Sequence, residues 1–195
     1  MDITLADKNH IHFATAISQQ IDSSAKVRGT GIARRTPEYI ASKIENQQAI
    51  IAVDGDQVAG FCYIEVWGNG KYLAHSGLIV FPEYRGKGLA KAIKKKTLMH
   101  SQRRFPKAQI FGITTGKAVM KINSDLGYKP VHFSELTDDI EFWNDCQSCK
   151  NYDVLIRTER SMCLCTGMLY QGPTLEEKTH KSKWKQLFST KKTNS

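Results

Sequence analysis

The segment that most constrains this chain is Val80–Ala90, where an apolar run meets a proline and then two glycines. The run from Gly77 to Phe81 predicts a strand that Pro82 ends, and a helical pattern begins at Leu89. A glycine turn between a strand and a helix directs free backbone N–H groups and the positive helix end toward one point. The segment therefore predicts a phosphate-binding turn, with a plain helix start as the alternative.

The glycine spacing disfavours the two commonest nucleotide loops, because it matches neither Gly-x4-Gly-Lys-Ser/Thr nor Gly-x-Gly-x-x-Gly. It does match Gln/Arg-x-x-Gly-x-Gly/Ala, and it resembles the acetyl-CoA loop of the GNAT superfamily of N-acyltransferases. The resemblance implies that the CoA pyrophosphate binds the backbone of Arg85, Gly86, Lys87, Gly88, Leu89 and Ala90. It also implies that pantetheine pairs with the backbone of the preceding strand, at Leu78, Ile79 and Val80.

The order of predicted elements fits the same superfamily. Apolar periodicity, caps and turn residues predict strands at 3–5, 49–54, 58–67, 72–81 and 109–114, a short strand after 130, and helices at 7–21, 36–46, 89–102 and 116–126. Leu126-Gly127-Tyr128 is similar to the family's Leu-Gly-Phe. We therefore expect an α/β (α+β) GNAT-like fold, with a mixed central sheet flanked by helices and an antiparallel meander before the CoA loop.

The helix after the glycine turn has a predicted buried face. Leu89, Ala90, Ala92, Ile93 and Met99 fall in one half of the helical wheel. Lys91, Lys94 and Lys95 fall opposite and are predicted to face solvent.

The resemblance implies acetyl transfer from acetyl-CoA to an amine, for which the amine must be neutral and the leaving thiolate must gain a proton. A simple turn at 68–70 would pair Tyr63 near His75 and bring Glu65 onto the same sheet face. Glu65 and His75 are therefore the candidate bases. Asn123 occupies the position where members of this family often carry the tyrosine that protonates the thiolate. Asparagine has no titrating proton, so water or another group, such as Tyr128, must supply it, unless catalysis has been lost.

The acceptor site is predicted from three arginines, Arg28, Arg34 and Arg35, which precede a helix that starts with Thr36 and Pro37. Guanidinium groups near a helix amino terminus suit a carboxylate, and a solvated basic loop is the alternative. Residues 28–35 and the cysteine pattern below resemble a bacterial N-acetylglutamate synthase-like subgroup. That resemblance implies glutamate as the acceptor.

Four of the five cysteines form two close pairs, Cys146 with Cys149 and Cys163 with Cys165. Such pairs are typical of a tetrahedral zinc site, and packed or exposed thiols are the alternative. The alternating Tyr152, Val154 and Ile156 predict a strand between the pairs, which could bring all four sulfurs to one structural zinc.

The net charge of +9 is concentrated at the end of the chain. Six lysines and no acidic residue lie in 178–195, which leaves +3 for the rest. We expect one domain over 1–175, including a cysteine-rich extension at 133–170, and a flexible basic tail over 176–195. The amino terminus carries no targeting pattern, so the expected location is cytoplasmic, with neither a membrane nor a nucleic acid as partner.

The sequence thus predicts an acetyltransferase that uses acetyl-CoA and a small amine, with an amino acid such as glutamate as the preferred acceptor. Two alternatives stay open: a protein or peptide N-acetyltransferase, and a non-catalytic CoA-binding regulator. A homodimer is a further open expectation.

Overall fold

A mixed sheet of seven strands runs through the computed structural model, which describes residues 1–28 and 35–172. The strands are β1 (Asp2–Leu5), β2 (Ala49–Asp54), β3 (Gln57–Trp67), β4 (Tyr72–Val80), β5 (Gln109–Thr114), β6 (Tyr128–Val131) and β7 (Thr166–Tyr170). The helices are α1 (Ala14–Arg28), α2 (Pro37–Glu45), α3 (Leu89–Arg104), α4 (Lys117–Asp125), α5 (Ile140–Asn144) and α6 (Tyr152–Arg157). The strand order is β1-β2-β3-β4-β5-β7-β6, with β4 and β5 parallel and the other neighbours antiparallel. The predicted fold class is confirmed.

Local sequence signals set the first helices. Thr36 caps α2, its Oγ1 accepting a hydrogen bond of 3.2 Å from the backbone N–H of Tyr39, and Pro37 occupies the first helical position. Asp7 caps a 3₁₀ turn that leads into α1. The predicted end of α1 at residue 21 is wrong, because the helix continues to Arg28. The connection before α2 is therefore shorter than predicted.

Strand β4 contains a bulge, because Gly77 and Leu78 together oppose the single residue Cys62 on β3. Gly77 has a φ of +62°, and a Cβ at this position would overlap the ring of Tyr63. Only glycine satisfies both the backbone angle and the contact.

Strands β4 and β5 separate soon after they meet. They pair only from Tyr72 to Ala74, opposite Gln109 to Phe111. Beyond this point the backbone of β4 has no strand partner on its β5 side within the described sheet. The separation opens a cleft that reaches the middle of the sheet.

Helices α1 and α2 cover one face of the sheet, where Ile17, Ile21, Ile40 and Ile44 are buried. Helix α3 covers the other face. No helix in the described ranges combines the length and the apolar character that crossing a membrane requires.

The predicted buried face of α3 is partly wrong. Leu89 and Ile93 are buried as predicted, but Lys94 is buried at 2% exposure, whereas Met99 is 43% exposed. The buried face continues through Thr97 and Ser101. A wheel of apolar residues misses Thr97 and Ser101, because each satisfies its hydrogen bond inside the protein.

The carboxyl-terminal part of the described chain differs most from the prediction. The predicted strand at 151–158 is wrong, because the segment forms the helix α6 around the buried Leu155, leaving Ile156 exposed. Strand β7, which the sequence did not predict, inserts between β5 and β6. Residues 173–195, which include the predicted basic tail, lie outside the described residues.

We expect Gly77→Ala to lower the free energy of unfolding more than Gly55→Ala. Both glycines have positive φ, so each alanine costs about 1 kcal/mol in backbone strain. A Cβ at Gly55 meets no atom within 4 Å, whereas one at Gly77 overlaps Tyr63 and adds about 1–3 kcal/mol of overpacking. Urea unfolding of the two variants measures the difference, and equal losses would contradict the account of the bulge.

Candidate active site

A cavity of about 300 Å³ occupies the cleft between β4 and β5. Its lining includes residues predicted for catalysis, acceptor binding and metal binding, which are Arg35, Glu65, His75, Asn123 and the four paired cysteines. A second cavity of about 420 Å³ runs between α1, α4 and the end of β4 as far as Arg85 and Ala90. The two cavities share lining residues along β4, so they form one groove from the glycine turn to the interior.

The outer end of the groove is the glycine turn. Gly86 and Gly88 both have φ of +77°, and Gly88 caps α3. No atom lies within 4 Å of a Cβ built on either glycine, so the turn borders open space. The Arg85 side chain is turned back and donates from Nε to the backbone oxygen of Val80 at 3.0 Å. The geometry suits an anion at the amino end of α3.

The inner end of the groove holds the buried carboxylate of Glu65, which is 3% exposed. Glu65 accepts hydrogen bonds from Arg35 Nη2 at 2.8 Å, from the Tyr39 hydroxyl at 2.7 Å and from the Ser76 hydroxyl at 2.8 Å. Three donors satisfy most of its acceptor capacity. They therefore hold this carboxylate in one orientation.

Arg35 links this carboxylate to the carboxyl-terminal part of the described chain. Its Nη2 also lies 3.2 Å from Asp145, which is 40% exposed, and its Nε donates to the Tyr63 hydroxyl at 2.7 Å. Burial, the largest single effect, lowers the pKa of Arg35, but the Glu65 carboxylate together with Tyr63 and Tyr39 raises the pKa by more, so the guanidinium stays charged. The site therefore presents a fixed cation between two carboxylates.

The predicted pairing of Tyr63 near His75 is wrong by one residue. His75 lies opposite Ile64, and Glu65 lies opposite Ala74. Because side chains alternate along a strand, this register sends Glu65 toward Arg35 and α2 and sends His75 toward α3. The 3₁₀ turn at 68–70 sets this register, which continues to Ser76 and shifts by one residue only at the bulge beyond it.

His75 is held between two hydroxyl groups. Its Nε2 is 2.8 Å from Ser101 Oγ, and its Nδ1 is 2.9 Å from Tyr128 Oη. Burial first, and the charge of Lys94 second, lower the pKa of His75 well below its usual value. The imidazole is therefore neutral at neutral pH.

Asn123 lies in the cavity wall with 1% exposure. Its Nδ2 is 3.5 Å from Met168 Sδ, and its Oδ1 is buried without a hydrogen-bond partner in the part of the chain that the structure describes. A buried unpaired carbonyl oxygen is costly, so it can accept a hydrogen bond from a ligand in the cavity.

Two predicted acceptor residues cannot be placed. Arg34 and the side chain of Arg28 lie outside the described residues. Arg35 alone of the three is observed at the cavity.

The expected structural zinc is not supported. The described residues contain no group of three or more histidine, cysteine or acidic side chains that could hold a metal ion. Instead, the Cys149 sulfur accepts a weak hydrogen bond from the Asn151 N–H, and Cys163 is 3.9 Å from the Asn151 oxygen. Burial first, and the neighbouring paired cysteines second, raise the pKa of Cys146 and Cys165 to about 12.

Sequence reasoning missed four polar groups at the cavity or beside it: Tyr39, Ser76, Lys94 and Asp145. Tyr39 lies one helical turn after the Thr36 cap, which could have marked it as facing Arg35 and β3. Ser76 lies beside the bulge glycine, and it can be recognised as a cavity residue once the bulge is placed. Nothing in the sequence marks Asp145, because tertiary packing alone brings it to Arg35.

Comparison with known families agrees with this geometry. Residues 20–113 match the model of the acetyltransferase (GNAT) family. The match covers just under half of the chain, and together with the sheet topology it indicates a resemblance to GNAT-type acetyltransferases. No curated protein matches the sequence.

Solved structures resemble the chain at low sequence identity. Rv2747 from Mycobacterium tuberculosis, in complex with CoA and NLQ, is 17% identical, with a TM-score of 0.61 over 87% of this chain and 98% of its own. N-acetylglutamate synthase from Neisseria gonorrhoeae, complexed with coenzyme A and N-acetyl-glutamate, is 13% identical with a TM-score of 0.62. The match covers 89% of this chain and only 35% of that synthase. YncA from Salmonella typhimurium, with its cofactor acetyl-CoA, is 16% identical, with a TM-score of 0.57 over 90% of this chain and 98% of its own.

We expect Glu65→Gln to lower the free energy of unfolding by about 3–5 kcal/mol, because it leaves the buried Arg35 without its main counter-charge. The matched control is Asp153→Asn, which breaks an exposed pair with Arg157 at 3.7 Å and should change stability little. Urea unfolding at neutral pH measures both. Similar losses in the two variants would contradict the structural role of the buried pair.

Proposed function

We propose that this enzyme transfers the acetyl group of acetyl-CoA to the amino group of an amino acid, with glutamate as the best candidate. The observation that carries the proposal is the position of Arg35 between Glu65 and Asp145 at the inner end of the groove. An amino acid brings one cation and one or more anions. A site that presents both signs of charge suits it better than it suits an uncharged amine.

In this proposal acetyl-CoA occupies the groove. The pyrophosphate binds the backbone of the turn from Arg85 to Ala90, where φ is positive at two glycines and space is open. Pantetheine pairs with the backbone of Leu78, Ile79 and Val80, which has no strand partner on the β5 side among the described strands. The thioester then lies beside the bulge, and Asn123 Oδ1 accepts a hydrogen bond from pantetheine.

Arg35 is the proposed partner of the acceptor's carboxylate. Its Nη1 makes no hydrogen bond within the described ranges, while Nε and Nη2 are used by the protein. Arg28 and Arg34 stay proposed contributors from the connection before α2. The ligand of the gonococcal synthase, N-acetyl-glutamate, is the product expected from this acceptor and supports the choice of glutamate.

Glu65 is the proposed base, and it acts through Ser76. The Ser76 hydroxyl lines the cavity and donates to Glu65 at 2.8 Å. An attacking amine can pass a proton to the Ser76 oxygen as the hydroxyl proton moves to the carboxylate. His75, the other candidate, is neutral and held by two hydroxyl groups, so we assign it a positioning role.

Thiol release from acetyl-CoA across a panel of amines tests the proposal. We expect glutamate to give the highest kcat/KM, with aspartate and glutamine lower and with neutral and basic amino acids at least tenfold lower. Higher kcat/KM for a peptide amino terminus would favour peptide acetylation instead. Tight CoA binding without turnover of any amine would favour a regulatory protein and would contradict the enzymatic proposal.

We expect Arg35→Lys to raise the KM for the amino acid about 10–100-fold, because lysine cannot reproduce the guanidinium fork. The KM for acetyl-CoA should change less than about twofold, since Arg35 lies at the other end of the groove. The exposed Arg157→Lys serves as the control and should leave both constants unchanged. Equal effects of Arg35→Lys on the two KM values would argue against its contact with the acceptor.

A further inference from the structure

Lys94 is a buried cation on the sheet-facing side of α3, with 2% exposure. Its ammonium makes no ion pair and no hydrogen bond with any other residue in 1–28 or 35–172. The nearest aromatic contact is the Tyr128 ring, whose centroid is 5.1 Å from Nζ. An ammonium group in such a place is costly, because burial removes its hydration without supplying a counter-charge.

The titratable groups around Lys94 do not neutralise it. Cys62 on β3, His75 on β4 and Tyr128 on β6 face it from the sheet. Burial raises the pKa of Cys62 and of Tyr128, and it lowers the pKa of His75. All three are therefore uncharged at neutral pH, and Lys94 is positioned to receive an anion from outside the protein.

The location of Lys94 indicates which anion it could receive. It lines the cavity between β4 and β5 together with His75, Gly112 and Asn123. Its Nζ lies 3.9 Å from the point that a Cβ on Gly112 would occupy. Gly112 follows Phe111, the last residue of β5 that pairs with β4. The ammonium therefore lies where the two strands separate, in the same cavity as the bulge residue Gly77, beside which the thioester is proposed to lie.

The other candidate acids in this wall are less suitable. Asn123 has no titrating proton. The Tyr128 hydroxyl is engaged with His75 Nδ1 at 2.9 Å and is not part of the cavity lining. Lys94 combines a transferable proton with a position in the cavity lining, beside the point where β4 and β5 separate.

We propose that Lys94 is a catalytic residue that donates its proton to the sulfur of CoA as the thiolate leaves, a role that rests on the proposed acetyl transfer. When the tetrahedral intermediate collapses, the C–S bond breaks and its electron pair goes to sulfur, which takes a proton from Nζ. The proton lost by the amine passes through Ser76 to Glu65, which then releases it to water, and Lys94 regains a proton from water. The products are the amide and CoA in its thiol form, and no other reactant is needed.

The proton affinity of Lys94 supports this role. Burial lowers its pKa to about 8. A thiol has a pKa of about 8.5, so the donor and the acceptor are closely matched, which favours general acid catalysis near neutral pH.

The first test measures the ionisation of bound CoA and requires no acceptor amine. Thiolate absorbance is followed against pH for CoA in complex with the wild type, Lys94→Met and the control Lys95→Met, an exposed lysine on the same helix. We expect the apparent thiol pKa to fall by at least about one unit in the wild type and in Lys95→Met, because a nearby ammonium stabilises the thiolate. No such fall is expected in Lys94→Met. Equal thiol pKa values in Lys94→Met and the wild type would overturn the proposal even if acetyl transfer is established.

The second test compares kinetics with stability. Lys94→Met should lower kcat about 10²-fold or more. It should also abolish the fall in activity expected for the wild type as pH rises through about 8. Lys94→Arg should keep part of the rate through its charge, and its activity should not fall near pH 8. Lys95→Met should match the wild type. A kcat in Lys94→Met within about twofold of the wild type would overturn the role.

Stability distinguishes this role from a structural one. The unfolded lysine ionises near its ordinary value of 10.5 and the folded one near 8, so the wild type gains stability relative to Lys94→Met as pH rises through this window. Below it, Lys94→Met should be at least as stable as the wild type, because the buried unpaired charge is gone. Lower stability of Lys94→Met at pH 7 would indicate a structural lysine and would contradict the proposal.

Discussion

The separation of β4 from β5 is the constraint on which the rest of the molecule depends. The two strands pair over only three residues, and the bulge at Gly77 and Leu78 shifts the pairing of β4 with β3 by one residue from that point onward. A sheet opened in this way leaves backbone groups of β4 without partners, which is costly unless a ligand or water pairs with them. The groove to the glycine turn and the cavity beside the bulge both follow from this opening.

The sheet divides the polar groups of the cavity into two sets. On the side of α2, Glu65 and Arg35 form a paired and hydrogen-bonded network that reaches Asp145. On the side of α3, Lys94 and His75 are buried, and no carboxylate within residues 1–28 and 35–172 pairs with either of them. The first set holds one cation between two carboxylates, which suits the proposed zwitterionic acceptor, whereas the second carries the positive charge of Lys94. In the proposed reaction the attacking amine must lose a proton and the leaving thiolate must gain one, and the two sets of groups suit these two needs.

The prediction from sequence succeeded where the signal is local. The helix start at Thr36 and Pro37 and the glycines after Pro82 each depend on neighbouring residues, and the elements they delimit agree with the structure within a few positions. It failed where the signal is tertiary. Alternation at 151–158 indicated a strand, but the burial of Leu155 stabilises a helix, and this change removes the geometry on which the expected zinc site depended. Strand β7 likewise becomes a strand by filling the space between β5 and β6.

The sequence by itself determined the fold class, because the glycine turn and the order of strands and helices depend on local chemistry. Only the tertiary structure decided which polar side chains meet. A single extra residue at the bulge changes the register of β4 against β3, and each one-residue change moves a side chain to the opposite face. The helical wheel likewise predicted that Lys94 faces solvent. Its burial follows from the packing of α3 on the sheet.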